Sequence, residues 1–103
     1  MLVHSFGFRA ESFARAEELL NWPLLDQASC LILDVLMPGM GGLELQEQLN
    51  RTRRSIPVIF ITAHAKEYEE KQAMNAGAIA VLRKPVSDNV LFNTLRTALR
   101  ERH

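Results

Sequence analysis

Cys30-Leu31-Ile32-Leu33-Asp34-Val35 is apolar at every position but one. A strand with one face in water alternates apolar and polar residues, whereas a strand covered on both faces reads as an unbroken apolar run. The stretch therefore predicts a strand inside a sheet flanked by helices, closed by a single acid. Ile56-Pro57-Val58-Ile59-Phe60-Ile61-Thr62 is a second such run, and its Pro57 is admissible because it falls among the first residues of the strand. Ala78-Ile79-Ala80-Val81-Leu82 is a third. Upstream, Phe8-Arg9-Ala10-Glu11-Ser12-Phe13 alternates more loosely, in the manner of a less buried strand.

Amphipathic segments fill the spaces between these runs. Ala14 to Asn21 carries Ala14, Ala16, Leu19 and Leu20, and Trp22-Pro23 stops it because proline cannot continue the hydrogen-bond ladder. Leu45 and Leu49 are one helical repeat apart after Gly41-Gly42. Tyr68 to Ala76 ends at Gly77, a suitable C-terminal cap. Ser87 can cap a last helix, in which Leu91, Leu95 and Leu99 form a core-facing stripe. Strands and helices thus alternate with short connections, which predicts one α/β domain over residues 1–103 with a parallel sheet. In such sheets the functional crevice lies beyond the carboxyl ends of the strands.

Composition narrows the field. Twelve basic residues balance twelve acidic ones, so the chain has no general electrostatic footprint for nucleic acid. The basic end, Arg96 to His103, reads as a solvated helix face with cations at the negative end of the dipole. No apolar stretch approaches the roughly 20 residues of a membrane span, and Met1 to Phe6 is not a signal peptide. Cys30 is the only cysteine and reads as a small buried hydrophobe, in keeping with a reducing cytoplasm.

The three apolar runs each finish in polar chemistry: Asp34 closes the first, Thr62 the second, and Lys84 follows the third. In a parallel sheet they emerge at one edge. A carboxylate can act there as nucleophile, an ammonium can neutralise an incoming phosphoryl group, and a hydroxyl can donate to its oxygens. Taken singly, each has an ordinary explanation: a turn-capping aspartate, a strand threonine, an exposed lysine. The residues alone leave both readings open.

Leu31 to Leu45, with its aspartate, Met37-Pro38-Gly39 turn and glycine before a helix, resembles the phosphoacceptor segment of the receiver domains of two-component response regulators. Pro57 to Ala63 is similar to the family's fourth strand, and Ala76-Gly77-Ala78 with Lys84-Pro85 to the surroundings of its fifth. The resemblance covers essentially the whole chain. It implies a flavodoxin-like, CheY-like three-layer sandwich around a parallel sheet. It also implies a function, as a phosphorelay module rather than an enzyme. Asp34 would accept a phosphoryl group from a sensor histidine kinase, Lys84 would pair with it, Thr62 would swing toward it, and Ala63 would leave it room. Mg²⁺ would be held by the Asp34 carboxylate and the backbone carbonyl of Leu36, and the Lys84–Pro85 peptide would be cis.

The chain also departs from that pattern. Family members begin with a strand ending in two adjacent acids; here Met1 to Phe6 matches the tail of the following helix, and no acid pair precedes Asp34. The fold is therefore expected to be N-terminally truncated, Mg²⁺ binding weak and phosphorylation poor. The absent strand would be interior, next to the one containing Arg9. Its loss would be met by closure of the second strand onto the third, by recruitment of Met1 to Phe6, or by a homodimer or strand-swapped oligomer; a sequence simply cut short is a further explanation. Val81 stands where many receivers carry an aromatic switch residue, so the signal must be read differently. The effector is expected on a separate protein or on sequence beyond His103. The alternative function is a degenerate receiver acting by protein contacts alone. Phosphohydrolases that form an aspartyl-phosphate need a second acid two residues after the nucleophile, and Leu36 occupies that place.

Overall fold

A computed structural model of the chain describes residues 15–35, 40–52 and 56–101. The three apolar runs form the strands β1 (Leu31–Leu33), β2 (Val58–Thr62) and β3 (Ala80–Arg83). They make a parallel sheet in the order β1-β2-β3, with Leu33 opposite Phe60 and Thr62 opposite Arg83. All five residues of β2 are buried, as its unbroken apolar sequence requires. The expected strand at residues 8–13, the segment Met1 to Phe6 and any gap beside them lie outside the described residues.

Among the described residues, four α-helices precede, connect and follow the strands: α1 (Ala16–Leu20), α2 (Gly42–Arg51), α3 (Glu67–Asn75) and α4 (Asp88–Glu101). α1 ends before Trp22-Pro23, and a 3₁₀ turn over Leu25–Gln27 carries the chain to β1. Because side chains alternate across a strand, Val58 and Phe60 enter one core with Leu19, Leu45, Leu49 and Ala73, from α1, α2 and α3. Ile59 and Ile61 enter the other with Leu91, Leu95 and Ala98 from α4. Helices therefore cover both faces, which is the three-layer, flavodoxin-like arrangement.

Local chemistry sets the helix ends. Gly77 adopts φ +103°, a region closed to most side chains, and the helix closes there with Gly77 N–H donating to Met74 O and Ala78 N–H to Ala73 O, both at 3.0 Å. These two bonds make a Schellman cap. Ser87 Oγ accepts from Val90 N–H at 3.2 Å and caps α4. Along α4 the buried stripe runs Leu91, Leu95, Ala98, while Leu99 is half-buried. Steps of four overrun a 3.6-residue period, so the third position on the face falls one residue early. α2 and α3 are joined by amides: Gln46 Nε2, buried, donates to Ala73 O at 3.0 Å, and Asn50 Nδ2 donates to Ala76 O at 2.9 Å. Both bind carbonyls at the end of α3, Gln46 adding a second donor to the Ala73 oxygen that also accepts from Ala78. Among the described residues, no helix is long and apolar enough to cross a membrane.

Candidate functional site

Parallel pairing brings the carboxyl ends of β1, β2 and β3 to one edge, and the polar residues that follow them meet there. Asp34 comes directly after β1, and Lys84 directly after β3. Lys84 Nζ donates to Asp34 Oδ2 at 3.1 Å. The lysine is fixed at its base as well, its N–H donating to Thr62 O at 2.9 Å. The peptide bond to Pro85 is cis. The Lys84 and Asp34 side chains keep 52% and 31% of their surface in solvent, so a charged group can approach the pair from water.

Thr62 is buried, and its hydroxyl donates to His64 O at 3.2 Å, within the loop that leads to α3. Ala63 is exposed and puts only a methyl group beside the edge. Val81 is half-buried and packs against the core beneath α2 and α3. Cys30 is half-buried against the α4-side core, consistent with a packing role. Leu36, whose carbonyl the family resemblance makes a metal ligand, lies outside the described residues, as do Met37, Pro38 and Gly39.

Asp34 is positioned by a close approach that only glycine allows. Gly42, the first residue of α2, donates its N–H to Val35 O at 3.1 Å. A Cβ built on it would overlap the Asp34 carbonyl oxygen and sit 2.9 Å from Phe60 Cε1. The obstacle is backbone, which cannot rotate aside. Gly42→Ala must push α2 away from β1 and is expected to lose about 2–3 kcal/mol, the cost of overpacking an inflexible site. Urea unfolding measures this, and a variant within 0.5 kcal/mol (roughly the scatter of neutral substitutions) would show that the approach is not needed.

Chemically, the edge offers a carboxylate that can act as nucleophile held against an ammonium, with a small neighbour and a hydroxyl bonded to the following loop. That set suits capture of a phosphoryl group, the lysine offsetting negative charge as it arrives. It suits a divalent cation less well. Among the described residues no group of three or more His, Cys, Asp or Glu side chains gathers anywhere, and Asp34 is already engaged by Lys84. Mg²⁺ takes several oxygen ligands, so the described part of the site does not make a metal cage by itself.

Two residues escape a reading of the sequence. Gly42 is legible there only as a glycine before a helix; its contact with β1 is tertiary. Arg83 reads as a polar strand end, yet its guanidinium donates to Ala65 O at 3.3 Å and to Glu70 Oε1 at 2.5 Å. The one available signal is a cation beside Lys84 that could face the acid-rich first turn of the preceding helix, α3.

The chain matches the family model described as response regulator receiver domain over residues 1–96. It is 39% identical over 97 residues to nodulation protein W of Bradyrhizobium diazoefficiens, covering 94% of this chain and 43% of that protein. It is likewise 39% identical over 99 residues to the response regulator protein TodT of Pseudomonas putida, covering 96% of this chain and 44% of that protein. Among solved structures, the response regulator StyR superposes with a TM-score of 0.87 at 41% identity, covering 96% of this chain and 50% of that one. The chain thus spans less than half the length of the first two relatives.

Proposed function

The chain belongs to the response regulator receiver domain family, and from that premise we propose that Asp34 is its phosphoacceptor. A cytoplasmic sensor histidine kinase is the donor. One Asp34 oxygen attacks the phosphorus of a phosphohistidine; the new P–O bond forms as the P–N bond breaks, and the imidazole leaves with the bonding electrons and takes up a proton. Lys84 stays on the transferred group and offsets its charge. As the group arrives, Thr62 exchanges His64 O for a phosphoryl oxygen, Ala63 leaving space for it, and the exchange signals the modified state. The altered edge is read by an effector on a separate protein or on further sequence. Asp34 would be one ligand of a Mg²⁺ ion in this reading, and among the described residues no cluster of acids joins it.

The observation that carries the proposal is the 3.1 Å contact between Lys84 Nζ and Asp34 Oδ2 at a solvent-facing strand edge. A receiver working by protein contacts alone has no use for it. The test is intact-mass analysis after incubation with acetyl phosphate and a magnesium salt. The chain is expected to gain phosphate slowly, and Asp34→Ala to gain none. Equal uptake by the variant would move the acceptor elsewhere, and no uptake by the parent chain would favour the contact-only alternative.

A further inference from the structure

Arg83 adds a second layer to this site. Thr62 and Arg83 are register partners on neighbouring strands, so their side chains leave the same face of the sheet. Both reach into the loop between β2 and α3, and they bind successive carbonyls: Thr62 Oγ1 donates to His64 O at 3.2 Å, and Arg83 Nη2 donates to Ala65 O at 3.3 Å. The guanidinium is anchored in turn on the Glu70 carboxylate, in the first turn of α3. At the far end of the loop, Lys66 N–H donates to Glu69 Oε1 at 2.8 Å. The loop is held at each step from His64 to Lys66, by donors from both strand ends and by an acid of the helix.

We infer that the Arg83–Glu70 pair is a latch that holds the β2–α3 loop in the form in which the Thr62 hydroxyl is engaged on His64 O, making Arg83 a positioning residue for phosphoryl capture. The inference rests on the phosphoacceptor reading above. For Thr62 to serve a phosphoryl on Asp34, its hydroxyl must leave His64 O, and the adjoining carbonyl is pinned by Arg83. The capture-ready loop is then a minor population, and the rate of uptake is scaled down by that fraction. Release of Ala65 by Arg83 frees the start of α3, which gives the signal an exit that does not need an aromatic residue at Val81.

The latch is a largely exposed ion pair, with side-chain exposures of 59% and 31%, so its effect is on the order of threefold rather than a hundredfold. Arg83→Ala and Glu70→Gln, the second nearly isosteric, are each expected to raise the initial rate of phosphate gain from acetyl phosphate by about threefold. In a Thr62→Val background neither should raise it, since the hydroxyl that the latch holds back is gone. A gain that persists without the hydroxyl, or no gain with it, overturns the inference. Amide exchange of Lys66 and Glu69 on the unphosphorylated chain is an independent reading. It should quicken by a similar factor, on the order of threefold, in both variants, and unchanged exchange overturns the latch. If no variant and no parent chain takes up phosphate, the phosphoacceptor reading fails, while the exchange result still decides whether the latch exists.

Discussion

Phe60→Ala is expected to remove about 3–5 kcal/mol of unfolding free energy, the range for deleting a buried aromatic ring. The residue is fully buried at the centre of β2, pairs with Leu33 on one side and Val81 on the other, and lies within the core that α1, α2 and α3 share. Its ring also borders Gly42, at the place where α2 comes down onto β1. The cavity would therefore open between the sheet and the helix that carries the glycine, and neither strand can move in to fill it without breaking ladder bonds to its neighbour. Small domains have about 5–15 kcal/mol in all, so the loss is a large share of the total. Urea unfolding with an unchanged slope measures the loss. Tyr68→Ala serves as the comparison: that ring is 62% exposed on α3 and should cost no more than about 0.5 kcal/mol. A loss at Phe60 below about 1 kcal/mol would mean that the ring is not part of a close-packed core.

The strand around Phe60 shows how far residue order alone specifies the fold. Residues 58 to 62 carry four apolar residues in a row and then Thr62, which is enough to place them in a strand covered on both faces, and the structure buries all five. The coincidence of Asp34, Thr62 and Lys84 at one edge follows from parallel pairing alone. Boundaries are less legible: the third run begins at Ala78 in sequence, but β3 spans Ala80–Arg83 and its first bond to β2 comes from Ile79 N–H, because Ala78 is committed to closing α3 through its bond to Ala73 O. Hydrophobicity cannot distinguish a residue that ends a helix from one that starts a strand. The stripe of α4 is legible in kind but off by one at its last position, where Ala98 replaces Leu99. What residue order does not carry is direction. That the Thr62 hydroxyl points to His64 O, that Arg83 bridges Ala65 and Glu70, and that Gly42 abuts Asp34 all depend on which loops the register brings alongside which strand ends.

Direction also decides the second large effect, at Lys84. Lys84→Gln is expected to slow phosphate uptake from acetyl phosphate by about a hundredfold, the scale of losing one preorganised electrostatic interaction with a developing charge, while leaving the fold nearly untouched. Two influences oppose each other here. Lys84 holds the Asp34 carboxylate at 3.1 Å, and an oxygen so engaged is a poorer nucleophile than a free one, so its removal should by itself quicken attack. But the attacking group and the donor are both anions. Without the cation, nothing described at this edge offsets their repulsion or the charge that builds on the phosphoryl oxygens. The first influence concerns one hydrogen bond between half-exposed partners, worth about 1 kcal/mol or less; the second is worth about 3 kcal/mol in a preorganised site. The second wins. The exposed pair contributes correspondingly little to stability, so urea unfolding should shift by less than about 1 kcal/mol. Glutamine keeps the length of most of the side chain and its capacity to donate, which isolates the charge as the quantity tested. Initial rates of mass gain for parent and variant, read beside their unfolding curves, give the answer. A rate within about threefold of the parent's would show that Lys84 contributes packing and geometry but not charge.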